Sequence, residues 1–156
     1  VVEFSKYTDN QQVICFDIIK ESLRVTNLSV IANNDMLNFE RSLKIGDEIG
    51  GHMISGHVHY QAALINKEQT ATNCTLIFQC DLSWLKYIFP KGFITINGVS
   101  LTVGDVDNDS FSVHLIPETL ARTNLSAVQT GQQVNIEIDQ QTITIVDTIE
   151  RMKLTV

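Results

Sequence analysis

Proline is scarce in this 156-residue chain: only Pro90 and Pro117 occur, and with eight glycines there is no collagenous, linker-like or low-complexity stretch to set aside. Cysteine is equally thin. Cys15, Cys74 and Cys80 are odd in number and contain no C-x-x-C pair, which reads as reduced thiols used for packing in a cytosol-like compartment. Basic charge is in deficit, with 11 Lys and Arg against 18 Asp and Glu, and no Lys/Arg run exists. Nucleic acid is therefore disfavoured as a partner, because its phosphates demand basic clusters. No uninterrupted apolar run approaches the roughly 18 residues of a membrane-spanning helix, and the opening residues do not read as a signal peptide. What is present suits a globular chain with a real core: 44% of residues are hydrophobic and 19% charged.

The most informative feature is a repeat. "ESLRVTNLS" at positions 21–29 returns as "ETLARTNLS" at 118–126, an offset of 97, and "NFE" from Asn38 meets "NIE" from Asn135 in the same register. Alternating apolar residues precede the shared motif in both copies, "VICFDIIKE" and "SFSVHLIPE". The second copy extends back through "INGVSLTV" and "GGHMISGHV" to about Ile45, whereas a first copy of equal length would start about fifty residues before Val1. The expectation is the back part of one domain in 1–44, a complete second domain in 45–139, and a tail in 140–156.

Period-2 patterning marks "VICFDI", "HVHYQAALI", "CTLIFQC", "FITINGVSLTVGDV", "SFSVHLI" and "QVNIEID" as strands. Turn chemistry separates them, most clearly at Asn97-Gly98. "DLSWLKYIF" predicts a short helix ended by Pro90 and capped by Asp81 or Ser83, and "PETLART" a helix with Pro117 in its first turn. Many short strands with two brief helices suggest a closed Greek-key barrel of about six strands. In the tail, Ile143, Val146, Ile149 and Met152 recur every three residues behind a cap candidate at Asp139. That pattern favours a helix over a competing strand at "TITIV", with an apolar stripe that docks on a neighbouring domain or subunit.

Three of the four histidines, His52, His57 and His59, fall within eight positions. A metal site is disfavoured: no acid follows His59 before Glu68, and no distant ligand group completes a set. Surface or core histidines are the plain alternative. The proton-handling reading rests on context, since Gly50, Gly51 and Gly56 allow close approach of backbone to a ligand. Ser55-Gly56-His57 is then expected to open a strand with an imidazole at a barrel rim, a side-chain type that can serve as acid or base at cellular pH. Ser100 and Thr102, two apart, share one face of their strand.

"GDEIGGHMISGHV", "KGFITINGVSLTVGDV", "HLIPETLARTNL" and "VNIEID…VDTIER" resemble riboflavin synthase of the α-chain type, in order and spacing. The similarity runs from Val1 to about Met152 and includes "FDIIKESLRVTNL". It implies an all-β fold of two similar six-stranded Greek-key barrels, the first incomplete in this chain, and a C-terminal α-helix through which three subunits associate. It implies the dismutation of two 6,7-dimethyl-8-ribityllumazine molecules to riboflavin and 5-amino-6-(ribitylamino)pyrimidinedione by four-carbon transfer. No metal or redox cofactor is implied, and the compartment is the cytoplasm. The productive site is expected between the first barrel of one subunit and the second barrel of its neighbour.

Carried over residue by residue, the resemblance places substrate contacts on Gly56, His57, Val58, Lys91, Ser100, Leu101 and Thr102. Further contacts fall on Leu115, Ile116, Pro117, Glu118, Thr119 and Leu120, and in the first copy on Asp17, Ile18, Ile19, Lys20, Glu21 and Ser22. His57 with Thr102 corresponds to the pair expected to take a proton from the methyl on pteridine carbon 7, with Ser100 in the strand that contacts the ring. Asp139 matches an acidic position linked to activity, or only caps the tail helix. His52 is expected to be structural and His59 a peripheral strand residue. Asn97 stands where the family commonly has Asp, which keeps the turn but loses a charge. Two alternatives accompany this reading: a non-catalytic lumazine-binding antenna, as in luminous bacteria, and an inactive truncated fragment.

Overall fold

The structure, a computed structural model, describes residues 2–6, 12–70 and 72–153. Val1 and the last three positions of the expected tail, 154–156, lie outside the described residues. Two strands, β1 (Val2–Lys6) and β2 (Gln12–Phe16), pair antiparallel as a separate ribbon. Helix α1 (Lys20–Val25) and a 3₁₀ turn (Asn27–Val30) follow. Then come β3 (Tyr60–Gln69), β4 (Cys74–Gln79), a single turn α2 (Leu82–Leu85), β5 (Phe93–Ile96), β6 (Val99–Val106) and β7 (Ser110–Leu115). The chain ends in α3 (Pro117–Arg122), a 3₁₀ turn (Asn124–Ser126), β8 (Gln133–Ile138) and α4 (Gln140–Lys153).

Strands β3 to β8 close a six-stranded antiparallel barrel in the order β3-β4-β7-β6-β5-β8. The closure follows from the alternation. Val134, Ile136 and Ile138 of β8, Ile94 and Ile96 of β5, and Leu101 and Val103 of β6 all point inward and are buried. Phe78 and Phe111 stack across β4 and β7 with centroids 5.7 Å apart. A barrel this small is filled by its own side chains, each large one contributing about 1.5–3 kcal/mol by leaving water. The intervening residues, among them Thr95, Ser100, Thr102 and Glu137, therefore face outward. Asn97 (φ +48°) and Gly98 (φ +81°) make the two-residue turn that joins β5 to β6, a conformation that Asn and Gly tolerate best.

The repeat is visible in the fold. Helices α1 and α3 have bounds offset by 97 residues, each ends on a threonine, Thr26 or Thr123, and each threonine caps the following 3₁₀ turn. Two expectations need correction. The strand expected from His57 begins at Tyr60, because Gly56 (φ +82°) and the capture of its N–H by a carboxylate turn the preceding residues away from the sheet. The helix expected up to Pro90 is one turn long. Tyr87 and Ile88 bond back three residues to Trp84 and Leu85, which tightens the chain as Ile88 enters the core. The two copies also differ: residues 38–40 form no strand although their counterparts lie in β8. Leu37 and Phe39 are more than half exposed where Val134 and Ile136 are fully buried. β8 is held by β3 and β5, and the described first-copy residues supply no equivalents of those neighbours.

Candidate active site

A polar row crosses the outer face of three adjacent strands. Ser100 of β6 sits opposite Thr95 of β5, and Thr95 sits opposite Glu137 of β8. Thr95 and Glu137 are buried although they point away from the core, because residues 50–56 lie over them. His52 fills one side of this cover. Its Nδ1 lies 2.7 Å from Ser100 Oγ, its Nε2 3.2 Å from Thr95 Oγ1, and its ring stacks on Phe93 at 5.0 Å. Gly51 makes the approach possible: at φ +104° a side chain is strained, and a Cβ there would stand 2.7 Å from Ser100 Cβ. Burial holds the His52 imidazole below its ordinary pKa, against the pull of Asp139 and Glu137.

Glu137 anchors the other side. Its carboxylate accepts from Ser55 N (2.8 Å), Ser55 Oγ (2.9 Å) and Gly56 N (3.1 Å), so a buried acid is satisfied by three donors without a cation. Ser55 Oγ in turn lies 2.9 Å from Nδ1 of His57, whose ring is exposed. His59 belongs to neither group. Its Nδ1 accepts from Ile138 N at 3.1 Å, its ring packs against Trp84, and burial lowers its pKa. The three neighbouring histidines thus take three separate sets of partners, and among the described residues no group of His, Cys, Asp and Glu is placed to hold a metal ion.

The other expected residues are brought together only in part. Thr102 is exposed opposite Phe93, two strands from β8, which is roughly 10 Å at ordinary strand spacing. Its side chain makes no hydrogen bond among the described residues, and His57 engages Ser55 instead. Lys91 (φ +68°) bonds through its N–H to Val103 O, beside the Thr102 strand. Val58 is half-buried just before β3. Leu101 and Leu115 face the core, so only their backbone is available to a ligand. Ile116 is exposed at the start of α3, Pro117 opens that helix, and Glu118 pairs with Arg122. Thr119 O accepts from Thr123 Oγ1, and Leu120 packs against the core.

Residues 17–22 form the equivalent edge of the first copy. Ile18 and Ile19 are exposed, Glu21 pairs with Arg24 at 2.6 Å, and Ser22 O accepts from Thr26 Oγ1. None of residues 17–22, Asp17 and Lys20 included, bonds to a site residue of the barrel among the described residues. Asp139 caps α4, accepting from Thr142 N at 3.0 Å and Thr142 Oγ1 at 2.8 Å. An open depression of about 560 Å³ lined by Gln61, Gln79, Asp81 and Gln133 contains none of the expected residues. Sequence reasoning missed Ser55, Thr95 and Glu137. The signal for Glu137 was an acid held between Ile136 and Ile138 in a strand buried on both sides.

Residues 55–139, from the anchored serine to the helix cap, match the lumazine binding domain, which defines the class of this barrel. Riboflavin synthase of Escherichia coli (strain K12) is 48% identical over 144 residues, covering 92% of this chain and 68% of the relative. That of Chlamydia pneumoniae is 45% identical over 143 residues, covering 92% of this chain and 70% of the relative. The chain thus spans about two thirds of the length of these relatives. It belongs to the riboflavin synthase family of lumazine-binding proteins. In fold it is similar to LumP complexed with riboflavin, with a TM-score of 0.70, 21% identity, and coverage of 77% of this chain and 65% of that one. No helix among the described residues is long and apolar enough to cross a membrane.

Proposed function

We propose that the protein converts two molecules of 6,7-dimethyl-8-ribityllumazine into riboflavin and 5-amino-6-(ribitylamino)pyrimidinedione, with His57 as the base that takes a proton from the methyl on carbon 7. The observation that carries this reading is the exposed imidazole of His57, held through Ser55 on a glycine loop that Glu137 anchors at one end of the outward row Ser100, Thr95 and Glu137. The carbon-7 methyl is unusually acidic because its carbanion spreads into the electron-poor pteridine. A modest base and hydrogen-bond donors over the developing charge are enough for that step. Holding two identical molecules together supplies much of the rest, up to about 7–11 kcal/mol where the geometry is favourable.

The second substrate molecule is bound by residues 17–22 of another subunit. Among the described residues no hydrogen bond joins residues 17–22 to the barrel site within one chain, which supports this arrangement, and so does the exposed edge at Ile18 and Ile19. Three subunits associate through α4, and the enzyme works in the cytoplasm. The working units are then 1–44, the end of the first lumazine-binding barrel, 45–139, the second barrel, and 140–156, the association helix.

A second reading has its own observation: the fold resembles LumP, whose structures hold riboflavin and 6,7-dimethyl-8-(1'-D-ribityl) lumazine. A protein of that kind binds without turnover. Incubation with the lumazine alone separates the two. Riboflavin forming at one molecule per two lumazines consumed is the expected result, and tight binding without product would favour the antenna. His57→Ala should lower kcat by about 10²–10⁴-fold while lumazine binding stays within about tenfold, since a general base acts in the transition state.

A further inference from the structure

We infer that Glu137 and Ser55 form a relay that holds His57 with its proton on Nδ1 and its Nε2 bare, so that both are positioning residues for the base. This rests on the reading of His57 just given. The argument is a count of protons. Glu137 as a carboxylate only accepts, and its Oε1 takes Ser55 N at 2.8 Å and Ser55 Oγ at 2.9 Å. Ser55 Oγ owns one hydrogen. Directed at the carboxylate, it makes a charge-assisted bond, stronger than a neutral bond to imidazole. Directed at His57, it would leave two oxygen lone pairs facing each other at 2.9 Å with no proton between them.

With that hydrogen committed, Ser55 Oγ can only accept from His57, whose Nδ1 lies 2.9 Å away. Nδ1 therefore carries the hydrogen of the neutral ring, and the lone pair sits on Nε2, which bonds to nothing among the described residues. Neutral histidine in water prefers the opposite tautomer, with hydrogen on Nε2 and no lone pair at the ring's outer end. The relay thus converts the ring to its basic form at the place where a substrate can reach it. The remaining Glu137 bonds, from Ser55 N and Gly56 N, fix where the loop stands.

The test is ¹⁵N NMR of the His57 ring in the full-length chain, at alkaline pH where an ordinary imidazole is neutral, read beside steady-state kinetics. Wild type is expected to show Nδ1 protonated and Nε2 bare. Ser55→Ala leaves the two N–H donors on Glu137 in place, so the loop keeps its anchor. In it the ring should revert to the Nε2–H form and kcat fall by about tenfold to a hundredfold, part of a general base's usual contribution, with KM unchanged within about threefold. Ser55→Thr keeps the hydroxyl and should restore both readings.

Glu137→Gln provides a second arm. Oε1 accepts from both Ser55 N and Ser55 Oγ, so the amide keeps its oxygen at that position and the tautomer should be retained while the charge assistance is lost. A wild-type ring protonated on Nε2, or an unchanged tautomer in Ser55→Ala, would overturn the relay. A wild-type ring protonated on Nδ1 in a protein that forms no riboflavin would instead remove the base reading and leave the relay standing.

Discussion

Asn27 and Asn124 occupy equivalent positions in the two copies and make the same two hydrogen bonds, each to the other copy. Asn27 N donates to Asn135 Oδ1 at 2.7 Å and Asn124 N donates to Asn38 Oδ1 at 2.8 Å. Their side-chain amides repeat the exchange at 3.1 Å, Asn27 to Gln133 O and Asn124 to Met36 O. Positions 27, 36 and 38 answer to 124, 133 and 135 at the offset of 97, so the contact is self-complementary, the mark of a two-fold relation. Asn38 adds a bond to Asn97 O at 2.8 Å, which ties the first copy to the turn preceding Ser100 and Thr102.

Asn38→Ala removes Asn38's three bonds, to Asn124 N, Asn124 Oδ1 and Asn97 O. At about 0.5–1.5 kcal/mol each, the docking of the first copy should weaken by about 1.5–4.5 kcal/mol, while the barrel keeps its own core. Amide exchange should accelerate at Asn124 and remain slow at Val113. Equal acceleration at both would mean that the clamp holds up the barrel itself.

Gly51 and Gly50 offer a matched pair of substitutions. A Cβ at Gly51 meets Ser100 at a position with φ +104°, whereas at Gly50 it meets nothing within 4 Å. Gly51→Ala should cost about 2–4 kcal/mol from strain and overpacking, and push Ser100 and His52 apart. Gly50→Ala should stay within about 0.5 kcal/mol. Urea unfolding of the two variants checks the contrast, and similar midpoints would show that residues 50–52 relax freely.

The barrel was legible because its signals are local and repeated. The inward alternation of Val134, Ile136 and Ile138 and the Asn97-Gly98 turn are written in adjacent letters, as is Asp139 ahead of the tail helix. The site was legible as a set of residues but not as a set of bonds. His57 reads as part of a His-x-His strand, and only the remote Glu137, 82 positions from Ser55, shows why the chain leaves the sheet before Tyr60. His52, expected to be structural, gains its partners Ser100 and Thr95 from strands more than forty positions away, which its own neighbours in the chain do not announce. Residues 38–40 repeat the pattern of β8 without its neighbours and form no strand, since pattern alone states which face is apolar and not what it pairs with.

Two imidazoles carry a pH dependence whose sign can be worked out. Burial is the first cause that lowers the pKa of both His52 and His59, so the folded state favours their neutral forms. The unfolded chain then binds these protons more readily. The stability they represent is complete above the ordinary imidazole value of about 6.5 and is lost as pH falls below it. Urea midpoints should decline from pH 7.5 to 5.5. His52→Asn, which keeps a polar atom near Ser100 but does not titrate there, should show a smaller decline. A steeper one would place the proton-sensitive contact elsewhere.

The tail helix presents two faces. Ile143 packs against the barrel core, Asp147 accepts from Tyr87 OH at 2.6 Å, and Glu150 pairs with Lys86 at 2.6 Å, which seats α4 on the barrel. Ile145 and Ile149, four apart and therefore on one stripe, are 59% and 47% exposed. In the proposed trimer that stripe meets its counterparts in the other subunits. Ile145→Asp with Ile149→Asp puts charge where an assembled helix cluster would be dry, but touches nothing that holds α4 to its own barrel. Sedimentation should show monomers with the circular dichroism of the parent protein, and riboflavin formation should fall with assembly, because each proposed site draws on two chains. Dissociated subunits with full turnover would place both substrate molecules within one chain, and an unchanged mass would move the contact between subunits to another face.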